Sequence, residues 1–140
     1  MNRATYALVP HTADICIEVN AKALRELFLN SATALTEQIV KTKKASKKET
    51  REIEIAAPDM DSLLIYWLQE LLYNFYVHGL VYVDARIRVL TVKKLKVNAV
   101  FCRFRPEKHV ALREVKAVTY HNVHIKKMGG RYMVRIVLDI

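Results

Sequence analysis

Hydrophobic and polar positions in the first part of the chain follow two different periods. Ile15, Ile17 and Val19 alternate with Cys16 and Glu18, which predicts a β-strand with one buried face. After this strand, apolar side chains recur every three or four residues, as on one face of a helix. They are Leu24, Leu27, Phe28, Ala32, Leu35 and Ile39.

This change of period predicts a first helix from Ala21 to Val40, with Asn20 as its N-cap. The lysine-rich segment Lys41–Lys48 has no apolar period, so we expect an exposed connection there. Alternation resumes at Ile53 and Ile55, which predicts a short strand.

A second helix is predicted from Leu63 to His78. The acidic residues Asp59 and Asp61 precede it, where the helix dipole favours negative charge, and Gly79 supplies a C-terminal stop. Its apolar stripe consists of Leu64, Trp67, Leu68, Leu71, Leu72 and Phe75.

The second half of the chain has the pattern of successive strands. These are predicted over Val81–Leu90, Leu95–Phe104, Glu114–Ile125 and Arg131–Asp139, the last two forming a hairpin across Met128-Gly129-Gly130. The order of elements predicts an α+β protein, one domain over residues 1–140, with an antiparallel or mixed β-sheet packed against two long amphipathic helices.

Composition narrows the class of protein. The chain has 140 residues, of which 52% are hydrophobic and 26% charged, as in globular proteins. Because no apolar run reaches the roughly 18 residues of a membrane span and no apolar signal segment begins the sequence, we expect a cytoplasmic protein with no membrane contact. Cys16 and Cys102 lack metal-type spacing and fit two buried thiols, with one disulfide as the alternative.

Positive charge is the strongest bias of the sequence. The formal net charge is +9, from 23 basic and 14 acidic residues, which favours polyanionic partners. The lysines cluster at Lys41–Lys48, Lys93–Lys96 and Lys126–Lys127. Such clusters are also typical of solvated connections, and the first one has no interleaved aromatic residue to stack on bases.

Several common kinds of active site are missing. The three glycines form neither a dinucleotide-binding fingerprint nor a phosphate loop, and no serine or cysteine lies in a nucleophile-elbow context. His121 and His124 are three apart in a strand pattern, so they project to opposite faces and do not form a zinc pair.

The candidate chemistry lies near the two ends of the sequence. Asp14 precedes the first predicted strand, and the last predicted strand leads directly into Asp139 and Ile140. If these strands are neighbours, two carboxylates and the terminal carboxylate converge, a set of oxygens that suits calcium or magnesium. The alternative is that Asp14 caps a turn and Asp139 is a solvated strand end.

Five segments of the sequence together resemble one family. They are His11-Thr12-Ala13-Asp14-Ile15, Trp67-Leu68-Gln69-Glu70-Leu71-Leu72-Tyr73, Gly79-Leu80-Val81, Glu114-Val115-Lys116-Ala117-Val118-Thr119-Tyr120-His121 and Leu138-Asp139-Ile140. The chain is similar to archease in all five, in the same order and over its whole length.

The resemblance implies a small α+β protein that is not itself an enzyme. It implies an activator of the tRNA-splicing RNA ligase, a manganese- and GTP-dependent enzyme, which promotes guanylylation of the ligase and multiple turnover and broadens its use of nucleoside triphosphates. It also implies that Asp14, Asp139 and Ile140 bind calcium or another divalent cation. The chain departs from the family at Pro10, where an acidic residue often stands, and at Cys16, where glycine is common. Neither change replaces a ligand, but the loss of an acidic residue at Pro10 bears on metal affinity.

Lys116 and His121 are further candidates for contact with a phosphate or a partner. A solvent-facing strand lysine is the equal alternative for Lys116. We expect tRNA to be contacted in the complex with the ligase. Two other classes of function stay open: a stand-alone basic tRNA-binding module or chaperone, and a metal-dependent hydrolase that uses Asp14 and Asp139.

Overall fold

The structure is a computed structural model that describes residues 5–9, 14–42, 47–120 and 122–140. Within these ranges the chain forms two helices and ten strands. In chain order they are β1 (Thr5–Val9), β2 (Ile15–Ala21), α1 (Leu24–Ile39), β3 (Val40–Thr42), β4 (Lys48–Ala56), α2 (Met60–His78), β5 (Leu80–Leu90), β6 (Lys94–Arg103), β7 (His109–Ala111), β8 (Ala117–Val118), β9 (Lys126–Met128) and β10 (Arg131–Asp139). The predicted α+β class is confirmed.

The described strands form three antiparallel sheets. The largest has the order β1-β2-β10-β8, with β9 also paired to β10. A second sheet has the order β4-β6-β5, and β3 pairs with β7 in a third. Since β10 lies between β2 and β8, the last strand of the sequence is a central strand of its sheet.

The two helices and the two larger sheets share one hydrophobic core. Helix α1 packs against β2, β5 and α2, so it connects the two sheets. Trp67 on α2 is fully buried and its Nε1–H donates to the Phe28 carbonyl on α1, at 3.0 Å. Each large apolar side chain buried in this way contributes about 1.5–3 kcal/mol. Among the described residues no helix is both long and apolar enough to cross a membrane.

Local sequence signals determine both ends of α2. The Asp59 carboxylate accepts from the Ser62 N–H at 2.8 Å as the N-cap, and this hydrogen bond lowers the pKa of the Asp59 carboxyl. At the other end Gly79 adopts a left-handed conformation (φ +66°), and its N–H donates to the Phe75 carbonyl at 3.0 Å. The predicted start signal and the stop at Gly79 are therefore confirmed, but the helix begins at Met60 and not at the predicted Leu63.

The predicted start of the first helix is wrong. Asn20 is not its N-cap, because β2 continues through Ala21, which pairs with Tyr132 of β10. The Asn20 carbonyl accepts from the Asn30 side chain at 3.1 Å, and the helix begins only at Leu24. Pairing with the central strand outweighed the local capping signal.

The predicted strand Glu114–Ile125 is also wrong. Among the described residues of this segment only Ala117–Val118 forms a strand with β10, and Asn122 has a left-handed φ of 53°. Its buried positions, among the residues that the structure describes, are Val115, Val118 and Val123, whose spacing is not that of a strand. The hairpin to β10 is formed instead by Lys126–Met128, and its turn glycines at 129 and 130 have φ of +57° and +77°, as a two-residue turn requires.

The predicted exposed connection Lys41–Lys48 is shorter than expected. Lys41 pairs with Val110 in the β3–β7 sheet, and Lys48 begins β4. Residues 43–46 lie outside the described residues. Both cysteines are buried and free, so the alternative of a disulfide between Cys16 and Cys102 is wrong.

Candidate functional site

Antiparallel pairing of β2 with β10 brings the two candidate aspartates together. Leu138 pairs with Ile15, and this is the last pair of the ladder. Asp14 immediately precedes Ile15 and Asp139 immediately follows Leu138, so the two aspartates flank the same end of the ladder. The strand that follows Asp14 is therefore next to the last strand, which is the condition for the two aspartates to converge. We call Asp14, Asp139 and Ile140 the carboxylate site.

Lys116 lies on the other side of β10. Its N–H donates to the Asp139 carbonyl at 2.7 Å, one step beyond the pair of Ala117 with Asp139. The Lys116 side chain is exposed and forms no ion pair with any residue in the described part of the chain. The site therefore combines two carboxylates with one ammonium group at an exposed sheet end.

A tyrosine of α2 fixes the segment that carries Lys116. The Tyr76 hydroxyl accepts from the N–H of Val115 at 2.9 Å, and the Val115 side chain is fully buried. Burial raises the pKa of the Tyr76 phenol, so this hydroxyl stays protonated at neutral pH. Gln69, also on α2, donates to the Val118 carbonyl at 3.3 Å. Local sequence patterns did not reveal either contact, since each partner lies about 40 residues or more away along the chain.

His121, the other candidate for contact with a phosphate or partner, lies outside the described residues, as do Pro10 and His11. The proposed role of His121 stays a prediction.

The donor chemistry of the site favours a hard cation. Asp14 is partly exposed and Asp139 exposed, and Ile140 adds main-chain oxygens. Cys16, one pair further along the ladder, does not offer a thiolate, because burial raises the pKa of its thiol.

The described residues contain no cluster of three His, Cys, Asp or Glu side chains that would form a metal centre. The two aspartates therefore need the Ile140 oxygens and water to complete a calcium-type shell of six to eight oxygens. The residues fit such a partly hydrated ion, and ligation stays a prediction.

These features define a class of small α+β proteins that present charged residues at the end of a sheet. The chain matches the model of the Archease protein family over residues 6–140. It therefore belongs to the archease family, as the five sequence segments indicated.

Relatives and solved structures agree with this assignment. The chain is 42% identical to the protein archease of Pyrococcus abyssi over 134 residues, which cover 93% of this chain and 94% of the relative. It is 39% identical to the protein archease of Thermococcus kodakarensis, with the same coverage. The solution structure of Methanobacterium thermoautotrophicum protein 1598 superposes with a TM-score of 0.74 at 27% identity, covering 96% of this chain and 98% of that one.

The crystal structure of a Thermotoga maritima protein, described as an archease and possible chaperone, has a TM-score of 0.64 at 19% identity. The superposition covers 94% of this chain and 94% of that one, so the two proteins have the same fold.

Proposed function

We propose that this protein activates the tRNA-splicing RNA ligase, by promoting guanylylation of the ligase and its multiple turnover and by broadening its use of nucleoside triphosphates. In this proposal the protein is a cytoplasmic accessory protein and not a catalyst. The observation that carries the proposal is the side-by-side placement of Asp14 and Asp139, with Lys116 beside them, at an exposed sheet end of an archease family member.

The site suits a role at another protein's active centre. Guanylyl transfer to the ligase histidine breaks a phosphoanhydride bond, and negative charge develops on the departing pyrophosphate. A divalent cation held by Asp14, Asp139 and Ile140 would supply positive charge close to the triphosphate. Lys116, immediately before β8, can donate hydrogen bonds to phosphate oxygens.

Rigidity makes these groups effective. Asp139 ends a strand that is paired on both sides, and the Lys116 N–H is bonded to the Asp139 carbonyl. Charges held in place in this way stabilise a transition state without reorganising during the reaction. An exposed rim also lets the site enter a partner's cleft.

The test is single-turnover guanylylation of the cognate ligase, with labelled GTP, manganese and no RNA. We expect the protein to accelerate formation of the ligase–GMP adduct and, in a separate ligation assay, to restore repeated turnover. Equal rates with and without the protein would refute the proposal. Phosphoester hydrolysis by the isolated protein would instead favour the hydrolase hypothesis.

Calcium binding is tested separately by titration calorimetry. We expect Asp14→Ala, or deletion of Asp139 and Ile140, to abolish calcium binding while the circular dichroism spectrum stays largely intact. Unchanged calcium binding in both variants would show that these residues are not the ligands. It would not decide whether the protein activates the ligase.

A further inference from the structure

A second charged surface lies where β4 begins and β6 ends. An open cleft there is lined by Lys47, Lys48, Glu49, Arg103 and Arg105. Four cations thus surround one carboxylate. We call these five residues the basic cleft.

The carboxylate in the basic cleft is already compensated. Glu49 Oε2 lies 3.1 Å from Arg51 Nε, and its Oε1 lies 3.4 Å from a terminal nitrogen of Arg103. Arg103 also donates to the His78 carbonyl at 3.1 Å, which fixes its guanidinium at the cleft wall. Glu49 therefore orients these arginines. Because its negative charge is largely neutralised by them, it repels a bound anion only weakly.

The other three cations have their charges available. Lys47, Lys48 and Arg105 are exposed, and none forms an ion pair with a residue that the structure describes. Like charges gathered on one wall repel each other, and a bound anion would remove that cost.

A buried histidine holds Arg105 in position. The Arg105 N–H donates to His109 Nδ1 at 2.9 Å, and the Arg105 carbonyl accepts from the His109 N–H at 2.8 Å. His109 Nδ1 also lies 3.2 Å from the Arg105 carbonyl oxygen, and Nε2 lies 3.6 Å from Cys102 Sγ. The ring is 2% exposed and stacks on Phe104. The turn that presents Arg105 is therefore part of the packed structure.

The basic cleft lies within reach of the carboxylate site. The chain runs from His109, which is bonded to Arg105, to Lys116, which is bonded to Asp139. Seven residues span at most about 25 Å. Allowing for the turn at Arg105, the two sites lie within roughly 30 Å of each other.

We propose that the basic cleft binds the phosphodiester backbone of RNA. This inference rests on the proposed function: the RNA is the strand whose end lies in the active centre of the ligase, where the carboxylate site also reaches. Guanidinium groups match phosphate oxygens in pairs, and the net charge of +9 suits a long polyanion better than a short acidic segment. Among the residues that the structure describes, no aromatic side chain lines the cleft, so we expect contacts to the backbone with no sequence preference.

The experiment measures binding of a labelled tRNA transcript to the full-length protein by fluorescence anisotropy over a salt series. The test variant is Lys48→Gln with Arg105→Gln. The matched control is Lys22→Gln with Lys93→Gln, which removes the same charge from two exposed lysines. Lys93 adjoins the start of β6, about 30 Å along that strand from Arg103.

We expect the test variant to bind tRNA at least about tenfold more weakly, with a salt slope shallower by about two, because two phosphate contacts are lost. The control should stay within about twofold of the wild type, because neither lysine lines the cleft and Lys93 lies well beyond the screening length from Arg103. Equal losses in both variants, or no binding by the wild-type protein, would overturn the proposal. Polyglutamate and an RNA of equal charge are also compared as competitors. If polyglutamate displaces tRNA as effectively as the RNA does, the cleft binds acidic protein segments and the proposal is overturned.

Guanylylation of the ligase without RNA separates this proposal from the proposed function. The cleft variant should activate that step as the wild type does. If the wild type fails to activate guanylylation while the cleft variant still loses tRNA affinity, the proposed function fails and the cleft stands.

Discussion

Replacing Asp139 with asparagine removes one negative charge from the carboxylate site and keeps the size of the side chain. The carbonyl that accepts from Lys116 at 2.7 Å belongs to the main chain and is retained. The side chain is exposed, so we expect the free energy of unfolding to change by less than about 0.5 kcal/mol. Loss of one preorganised electrostatic group should slow guanylyl transfer by roughly 100-fold, or about 2.7 kcal/mol of transition-state stabilisation.

The assay compares single-turnover rates of ligase–GMP formation with saturating wild-type or variant protein. Asp84→Asn is the matched control, since Asp84 is an exposed residue of β5 whose side-chain oxygen accepts from the Ala85 N–H at 2.8 Å. Asparagine keeps that acceptor, so this variant loses one charge and should activate normally. If Asp139→Asn activated the ligase as well as the wild type, the assigned role of the carboxylates would be wrong. The family assignment would be unaffected.

Three further substitutions test how the site and α2 are supported. Tyr76→Phe removes the acceptor of the Val115 N–H and should lower the free energy of unfolding by about 1 kcal/mol. The measurement is amide exchange at Val115, which should become faster; unchanged protection would contradict the prediction. Because the pKa of Asp59 is lowered in the folded state, its charge adds stability above the ordinary carboxyl pKa, and this is lost as pH falls through the folded value. The unfolding free energies of the wild type and Asp59→Asn should therefore converge on acidification, and a constant difference would contradict this. Gly79→Ala should cost about 1 kcal/mol in urea unfolding through its left-handed φ alone, since an added Cβ meets no atom within 4 Å; a much larger loss would indicate a clash.

The fold was predictable where neighbouring residues determine the structure. The apolar spacing, Asp59 and Gly79 are sufficient to predict α2, and the two turn glycines correctly predict a hairpin before Arg131. The segment 114–125 was not predictable in this way, because several of its main-chain N–H groups donate to residues far along the chain. Val115 donates to Tyr76, and the Ile125 N–H donates to the Asp61 carboxylate at 2.9 Å.

The carboxylate site and the basic cleft also differ in how far the sequence alone predicts them. Asp14 and Asp139 precede and follow strong strand patterns, so their convergence needed only the assumption that these strands pair. The basic cleft combines the start of β4 with the end of β6 and the turn after it. Its lysines gave a visible charge cluster, but the contribution of Arg103 and Arg105 depends on the register of β4 with β6 and on the buried ring of His109.

The hydrogen bond between Trp67 and the Phe28 carbonyl gives the molecule a built-in optical reporter. Trp67 is the sole tryptophan of the sequence, has no solvent exposure and lies edge-on to Tyr82, with ring centroids 6.0 Å apart. Its emission in the isolated protein should be blue-shifted and should move to longer wavelength only when the two helices separate. Substitutions at either charged surface can therefore be checked for an intact interior by fluorescence in the same sample that is used for binding.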